Sequence, residues 1–177
     1  MVASDAAHTI YHLGLVLERL EAEGEEEGAP GVGIENSEAA FARANSLEPQ
    51  QFPLPVIMDD AAFTRAVDSS VANLPRSIRD HIEGVSVLIE DFPTVELVRD
   101  ERLSPQTLGL FMGVARTEAL LTDQPLDLDR ILLYKRNLEK ICRDEEELID
   151  QIQITVRHEV GHYLGLDEDD LERLGLA

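Results

Sequence analysis

The stretch His158-Glu159-Val160-Gly161-His162 decides how the C-terminal part of this chain folds. Two histidines four residues apart lie on one face of an α-helix, because a four-residue step turns the helix by roughly 400°. Both imidazoles can then bind a single Zn²⁺ at about 2.0–2.1 Å. Glu159 lies roughly 100° further round, where it contacts a water on the metal rather than the metal itself. The stretch therefore predicts a zinc site on a helix, with His158 and His162 as ligands.

The residues after this motif offer candidates for a third zinc ligand. Gly165 can adopt a positive φ and end the helix, so that the chain folds back toward the metal. A histidine-based catalytic site needs a third protein ligand and keeps its fourth position for water. Glu168, ten residues after His158, is the best-placed carboxylate. Asp167 and Asp169 remain alternatives, and so does a solvated acidic tail without a ligand.

The segment before the motif predicts a long helix. Asp144 is a typical N-cap residue, and residues 145–147 are all glutamates, which a helix dipole favours in the first turn. Leu148, Ile152 and Val156 recur on one side of the helix, which we expect to pack against a sheet. The helix should run from Asp144 to about residue 164.

Three short segments predict strands: 85–89, 108–114 and 131–134. They are rich in apolar and β-branched residues, and glycines within the second suggest a bend. Helices are expected from Asp59-Asp60 to about Leu74-Pro75 and at 137–142, with a short turn or helix at 78–82. Few strands followed by helices indicate an α+β domain.

The N-terminal part predicts a helical hairpin, with helices at 5–21 and 36–47 around an acidic, glycine-rich loop at 21–33. It resembles a single tetratricopeptide repeat: Leu13-Gly14, Phe41, Ala44 and Pro49 match repeat positions, and Ser37 replaces a small alanine. One such repeat cannot bury its own faces, so it must pack on the next domain, on upstream repeats or on a partner protein. A plain helical hairpin is the other interpretation. We place the hairpin in residues 1–52 and the second domain in residues 53–177.

Residues 58–171 resemble the minimal zincins, or zincin-like metallopeptidases. The resemblance rests on the motif with its following glycine, and on the order of the segments 63–75, 90–93, 108–114, 131–134 and 158–171. It implies a compact zincin core, a small sheet packed against the long motif helix, preceded here by the hairpin. It also implies a zinc site with His158, Glu159 and His162. Family members usually carry aspartate where this chain has Glu168, whose extra methylene changes its reach.

Composition narrows the class of protein. The net charge of −21 argues against partners such as nucleic acid or anionic membranes. The single cysteine, Cys142, excludes an internal disulfide and fits a reducing compartment. The chain shows neither a secretory signal nor an apolar run long enough for a membrane span. We expect a bacterial cytoplasmic protein.

The sequence thus predicts a zinc-dependent peptidase acting on peptides or proteins, with Zn²⁺ on His158, His162 and Glu168 and with Glu159 as the general base. The alternative is a zinc-stabilised interaction module without turnover, which uses the hairpin to bind a protein partner. An edge strand containing Tyr134 is a candidate for pairing with an extended peptide.

Several other residues are weaker candidates for a role in the site. Tyr163 and Tyr134 are candidates for stabilising the oxyanion, although packing roles are favoured for both. Glu90 and Asp91 are candidates for orienting a zinc-bound histidine, although an acidic turn at a strand end is favoured. His8 and His12 form a second histidine pair, which we interpret as a surface pair.

Overall fold

The computed structural model describes residues 2–24, 33–113 and 129–174, which form two compact units, Met1–Val56 and Ile57–Ala177. The helices are α1 (Val2–Ala22), α2 (Ser37–Leu47), α3 (Asp60–Ala72), α4 (Arg76–Arg79), α5 (Val95–Asp100), α6 (Lys135–Ile141), α7 (Glu145–Tyr163) and α8 (Glu168–Leu174). The strands are β1 (Ser86–Glu90), β2 (Gly109–Met112) and β3 (Arg130–Tyr134). This mixture confirms the α+β class.

In the first unit, α1 and α2 pack closely as a helical hairpin. A Cβ atom on Gly14 would lie 2.8 Å from the Phe41 ring and 3.1 Å from the Ala40 Cβ, so only glycine allows this approach. The Glu21 carboxylate accepts hydrogen bonds from the Ser37 backbone N–H at 2.8 Å and from its hydroxyl at 2.5 Å. The predicted hairpin is confirmed, and its assignment to a tetratricopeptide repeat stays a prediction. Most of the predicted acidic loop lies outside the described residues.

In the second unit, the described strands form one sheet in the order β1-β3-β2. Strand β3 runs parallel to β1 and antiparallel to β2. Ile131, Leu133 and Tyr134 on β3 are fully buried. The proposal that Tyr134 lies on an edge strand is wrong, because β3 is the central strand and both of its sides are paired. The expected strand at 108–114 is seen as Gly109–Met112, and Val114 lies outside the described residues.

Helix α7 carries the motif and packs on β2 and β3. The Asp144 side chain caps it, accepting a hydrogen bond from the Glu147 N–H at 2.9 Å. Leu148, Ile152 and Val156 are fully buried on its inner side. The capped helix and its packing on the sheet are confirmed.

Two short helices were not predicted. Helix α5 begins after Thr94, whose hydroxyl accepts from the Leu97 N–H at 3.2 Å. Helix α8 follows Asp167, in the segment that was expected to supply the third ligand or to form an acidic tail. Both N-cap residues were visible in the sequence as helix-start signals. Within the part of the chain that the structure describes, no helix is long and apolar enough to span a membrane.

Candidate metal centre

The motif helix ends in a glycine turn that reverses the chain. Gly165 has a φ of +87°, a left-handed conformation that favours glycine. Its N–H donates to the His162 carbonyl at 2.9 Å, and the Leu166 N–H donates to the Gly161 carbonyl at 3.0 Å. These two bonds form a Schellman motif, which closes the helix end. The turn expected at Gly165 is present.

The turn leads directly into α8, and Asp167 caps this helix. Its carboxylate accepts from the Asp170 N–H at 2.9 Å, and its carbonyl accepts from the Leu171 N–H at 2.9 Å. Leu171 is fully buried and lies so close to Gly161 that a Cβ atom there would collide with it. Glu168 is the first residue of α8 and lies at the corner between the two helices.

This corner brings together three potential metal ligands. The His158 and His162 Nε2 atoms lie 3.0 Å apart. The Glu168 Oε1 atom lies 3.3 Å from the His162 Nε2 and 3.7 Å from the His158 Nε2. Within the described residues, this is the one group of three such side chains whose ligand atoms lie within 4.8 Å of one another. It contains neither Asp167 nor Asp169.

The spacing of these atoms fits a tetrahedral zinc ion. Ligand atoms at about 2.0–2.1 Å from Zn²⁺ in a tetrahedron lie about 3.3 Å from one another. The three separations of 3.0, 3.3 and 3.7 Å bracket this value. Two imidazole nitrogens and one carboxylate oxygen are also a ligand set that zinc accepts, with a fourth position left open. The residues therefore fit the ion.

The helix-ending turn also orients His162. Its Nδ1 atom lies 3.2 Å from the Leu166 carbonyl oxygen, which can only accept a hydrogen bond. A proton on Nδ1 satisfies this acceptor and leaves the Nε2 lone pair free to bind a metal ion. A backbone carbonyl therefore orients the His162 imidazole. Glu90 and Asp91, the candidates for orienting a zinc-bound histidine, do not supply this contact.

Glu159, the residue after His158, is held by strand β2. Its residue is only 6% exposed, and its Oε2 atom accepts a hydrogen bond from the Phe111 N–H at 2.8 Å. Burial raises the pKa of Glu159 to about 7, against the lowering effects of His162 and of the Phe111 N–H. A carboxyl group with such a pKa can both accept and donate a proton near neutral pH.

Strand β2 approaches Glu159 closely because Gly109 has no side chain. A Cβ atom there would lie 2.7 Å from the Thr155 Cγ2 and 3.0 Å from the Glu159 Cγ. The sequence predicts only a bend near Gly109 and gives no sign that Phe111 is a partner of Glu159. No local pattern marks a backbone donor that is 48 residues away in the chain.

The metal position opens into a cleft of about 540 Å³ between α7 and β2. The side chains of His158 and His162 are 25% and 28% exposed, so solvent and a ligand can reach them. Glu159 and Glu168 also line this cleft. A site built in this way has access for a substrate.

The remaining candidates lie elsewhere. The Tyr163 hydroxyl donates to the His81 carbonyl at 3.0 Å, and Tyr134 is fully buried in the sheet. Asp91 lies beside Arg136 at 3.8 Å, and Glu90 is exposed at the end of β1. His8 and His12 lie on α1, where the His12 ring nitrogen bonds the His8 carbonyl. None of these residues joins the three-ligand group among the described residues.

Comparison with known proteins agrees with this geometry. The family model described as zincin-like metallopeptidase matches residues 82–176. No curated protein matches the chain. The matched region spans more than half of the chain and contains both histidines, Glu159 and Glu168, and the chain therefore belongs to the zincin-like metallopeptidases.

Proposed function

We propose that the protein is a zinc-dependent peptidase that hydrolyses peptide bonds. One observation carries the proposal: the ligand atoms of His158, His162 and Glu168 lie within 4.8 Å of one another, beside the buried Glu159, in an open cleft. When bound, Zn²⁺ supplies a Lewis acid that activates water and polarises a carbonyl group. Membership of a metallopeptidase family supports the same reaction class.

The three ligands have distinct contributions to this function. His158 and His162 project from one rigid helix, which fixes the separation of their nitrogens. Glu168 supplies a negative charge from the next helix. If these three side chains held the ion, a fourth position would be left for water or substrate, as a catalytic site requires, whereas a structural zinc site is closed by four protein ligands.

Glu159 is the proposed general base. It would accept the proton of the attacking water and then deliver it to the leaving amine. The Phe111 N–H restrains its Oε2 atom, so the carboxyl group is held in one orientation. The alternative function, a zinc-stabilised interaction module, gives Glu159 no such task.

The decisive experiment compares the wild type with Glu159→Gln at equal zinc loading. The substitution keeps the side chain's size and removes its proton-accepting charge, while the zinc ligands stay intact. We expect the variant to keep its zinc and its fold and to hydrolyse a peptide library at least about 10²-fold more slowly. Asp169→Asn is the matched control, since Asp169 is an exposed neighbouring acid outside the ligand group.

Two results would contradict the proposal. Equal rates for the wild type and Glu159→Gln would exclude Glu159 as the base. A zinc-loaded wild type that cuts no peptide, and that unfolds when the zinc is chelated, would instead support the interaction module.

A further inference from the structure

Helix α7 presents one continuous stripe to the cleft, and the upstream half of this stripe carries no charged side chain. Gln151, Ile154 and His158 line the cleft at steps of three and four residues. Ile154 is 40% exposed, although a large aliphatic side chain is normally buried. At 1.5 Å per residue along the helix, it lies about 6 Å before His158. That distance is about two residues of an extended peptide, each of which spans about 3.3 Å.

Other residues that line this cleft are also apolar. Leu103 and Leu108 line the same cleft, and both are partly exposed to solvent. Thr107 and Gln151 supply uncharged polar groups beside them. Partly exposed apolar side chains gathered in one concave surface, with a few polar groups, are typical of a ligand subsite.

The charges at the cleft disfavour an acidic ligand. Among the described residues that line it, the ionisable side chains are His158, His162, Glu159 and Glu168, and there is no lysine or arginine. A substrate carboxylate entering beside Ile154 would lose its water without gaining a lysine or arginine partner. The net charge of −21 adds a long-range repulsion of acidic peptides.

From these observations we infer that the cleft selects peptides that carry an apolar side chain within about two residues of the scissile bond, and rejects acidic side chains there. Ile154 is the main specificity-determining residue, supported by Leu103 and Leu108. This inference rests on the proposed peptidase function, since it assigns the substrate class of the same site.

The test is the cleavage of a synthetic peptide library by the zinc-loaded full-length chain, with cut sites identified by mass spectrometry. We expect leucine, isoleucine or phenylalanine at one fixed position near the cut to be preferred over aspartate by about tenfold or more in kcat/KM. Ile154→Lys should remove the rejection of aspartate at that position, because it supplies the missing cation. Ile141→Lys is the matched control, since Ile141 is similarly exposed (49%) and does not line the cleft.

A binding experiment separates this inference from the proposed function. Zinc-loaded Glu159→Gln is immobilised, and the peptides that it retains from the same library are sequenced. The inference is upheld if Glu159→Gln retains apolar peptides and the double variant Glu159→Gln/Ile154→Lys does not. This holds even if the wild type cuts nothing. The inference is overturned if peptides are cut or retained without any preference, or if Ile154→Lys and Ile141→Lys have the same cleavage profile. Where cleavage occurs, the peptidase function still stands.

Discussion

Replacing Glu159 with glutamine should change how the stability of the zinc-free protein depends on pH. Glu159 is 6% exposed, and burial raises its pKa from 4.5 to about 7. The ionised form is therefore penalised in the folded protein and not in the unfolded chain. Glutamine fills the same space and does not ionise, so the comparison isolates the carboxyl group.

The sign and size of this pH effect follow from the linkage between proton binding and folding. The folded protein holds this proton more tightly, so the contribution of Glu159 to stability is fully present below pH 4.5 and is lost as the pH rises to about 7. Each pKa unit corresponds to about 1.4 kcal/mol, which gives a loss of about 3 kcal/mol by pH 8. About 1 kcal/mol of this is already lost at pH 5. The free energy of unfolding of the wild type relative to Glu159→Gln should therefore fall by roughly 2–3 kcal/mol between pH 5 and pH 8.

The assay is urea unfolding of both proteins in a chelating buffer, followed by far-ultraviolet circular dichroism at several pH values. With a slope of about 2 kcal/mol per molar urea, the expected change is a relative shift of about 1 M in the midpoint. Groups distant from Glu159 titrate equally in both proteins and cancel in the difference. A difference between the midpoints that stays constant from pH 5 to pH 8 would show that burial does not raise the pKa of Glu159, and would refute the reasoning.

Three further predictions concern the metal ligands and their support. The wild type should bind about one zinc per chain, and His162→Ala should fall below stoichiometric occupancy in metal analysis by mass spectrometry; full occupancy in the variant would refute the site. Glu168→Ala should weaken zinc binding in a chelator competition far more than Asp169→Ala, whereas equal losses would indicate general electrostatics. Gly161→Ala should displace Leu171, destabilise the fold by about 1–3 kcal/mol and weaken zinc binding. Adding Leu171→Ala should partly restore the zinc affinity, and no recovery in the double variant would exclude this packing as the cause.

The sequence predicted the local parts of the site well. Three of these parts depend only on neighbours in the chain. Asp144 caps α7, the apolar residues of α7 recur with the helical period, and Gly165 allows the turn at its end. The same local reasoning placed Glu168 near the histidines, and the structure brings these side chains together.

Features that depend on distant segments were missed. Tyr134 was assigned to an edge because its segment reads as a strand, but the order of strands is set by long-range pairing. The contact of Phe111 with Glu159 uses a backbone N–H, which has no residue-type signal. Helix α8 is seven residues long and is anchored by the buried Leu171. A helix this short does not show a periodic pattern of apolar residues in the sequence.

The three proposed zinc ligands are close together in the sequence, whereas the proposed base is held by a distant part of the chain. His158, His162 and Glu168 lie within a single helix-turn-helix corner, whereas the donor that holds Glu159 is 48 residues away on β2. Closing a short loop costs less entropy than closing a long one, so the corner can assemble before the sheet is complete. The three-ligand corner therefore closes at a lower entropic cost than the contact that holds the proposed base. Local detachment of β2 from the folded protein would release the Glu159 carboxylate and leave the three-ligand corner in place.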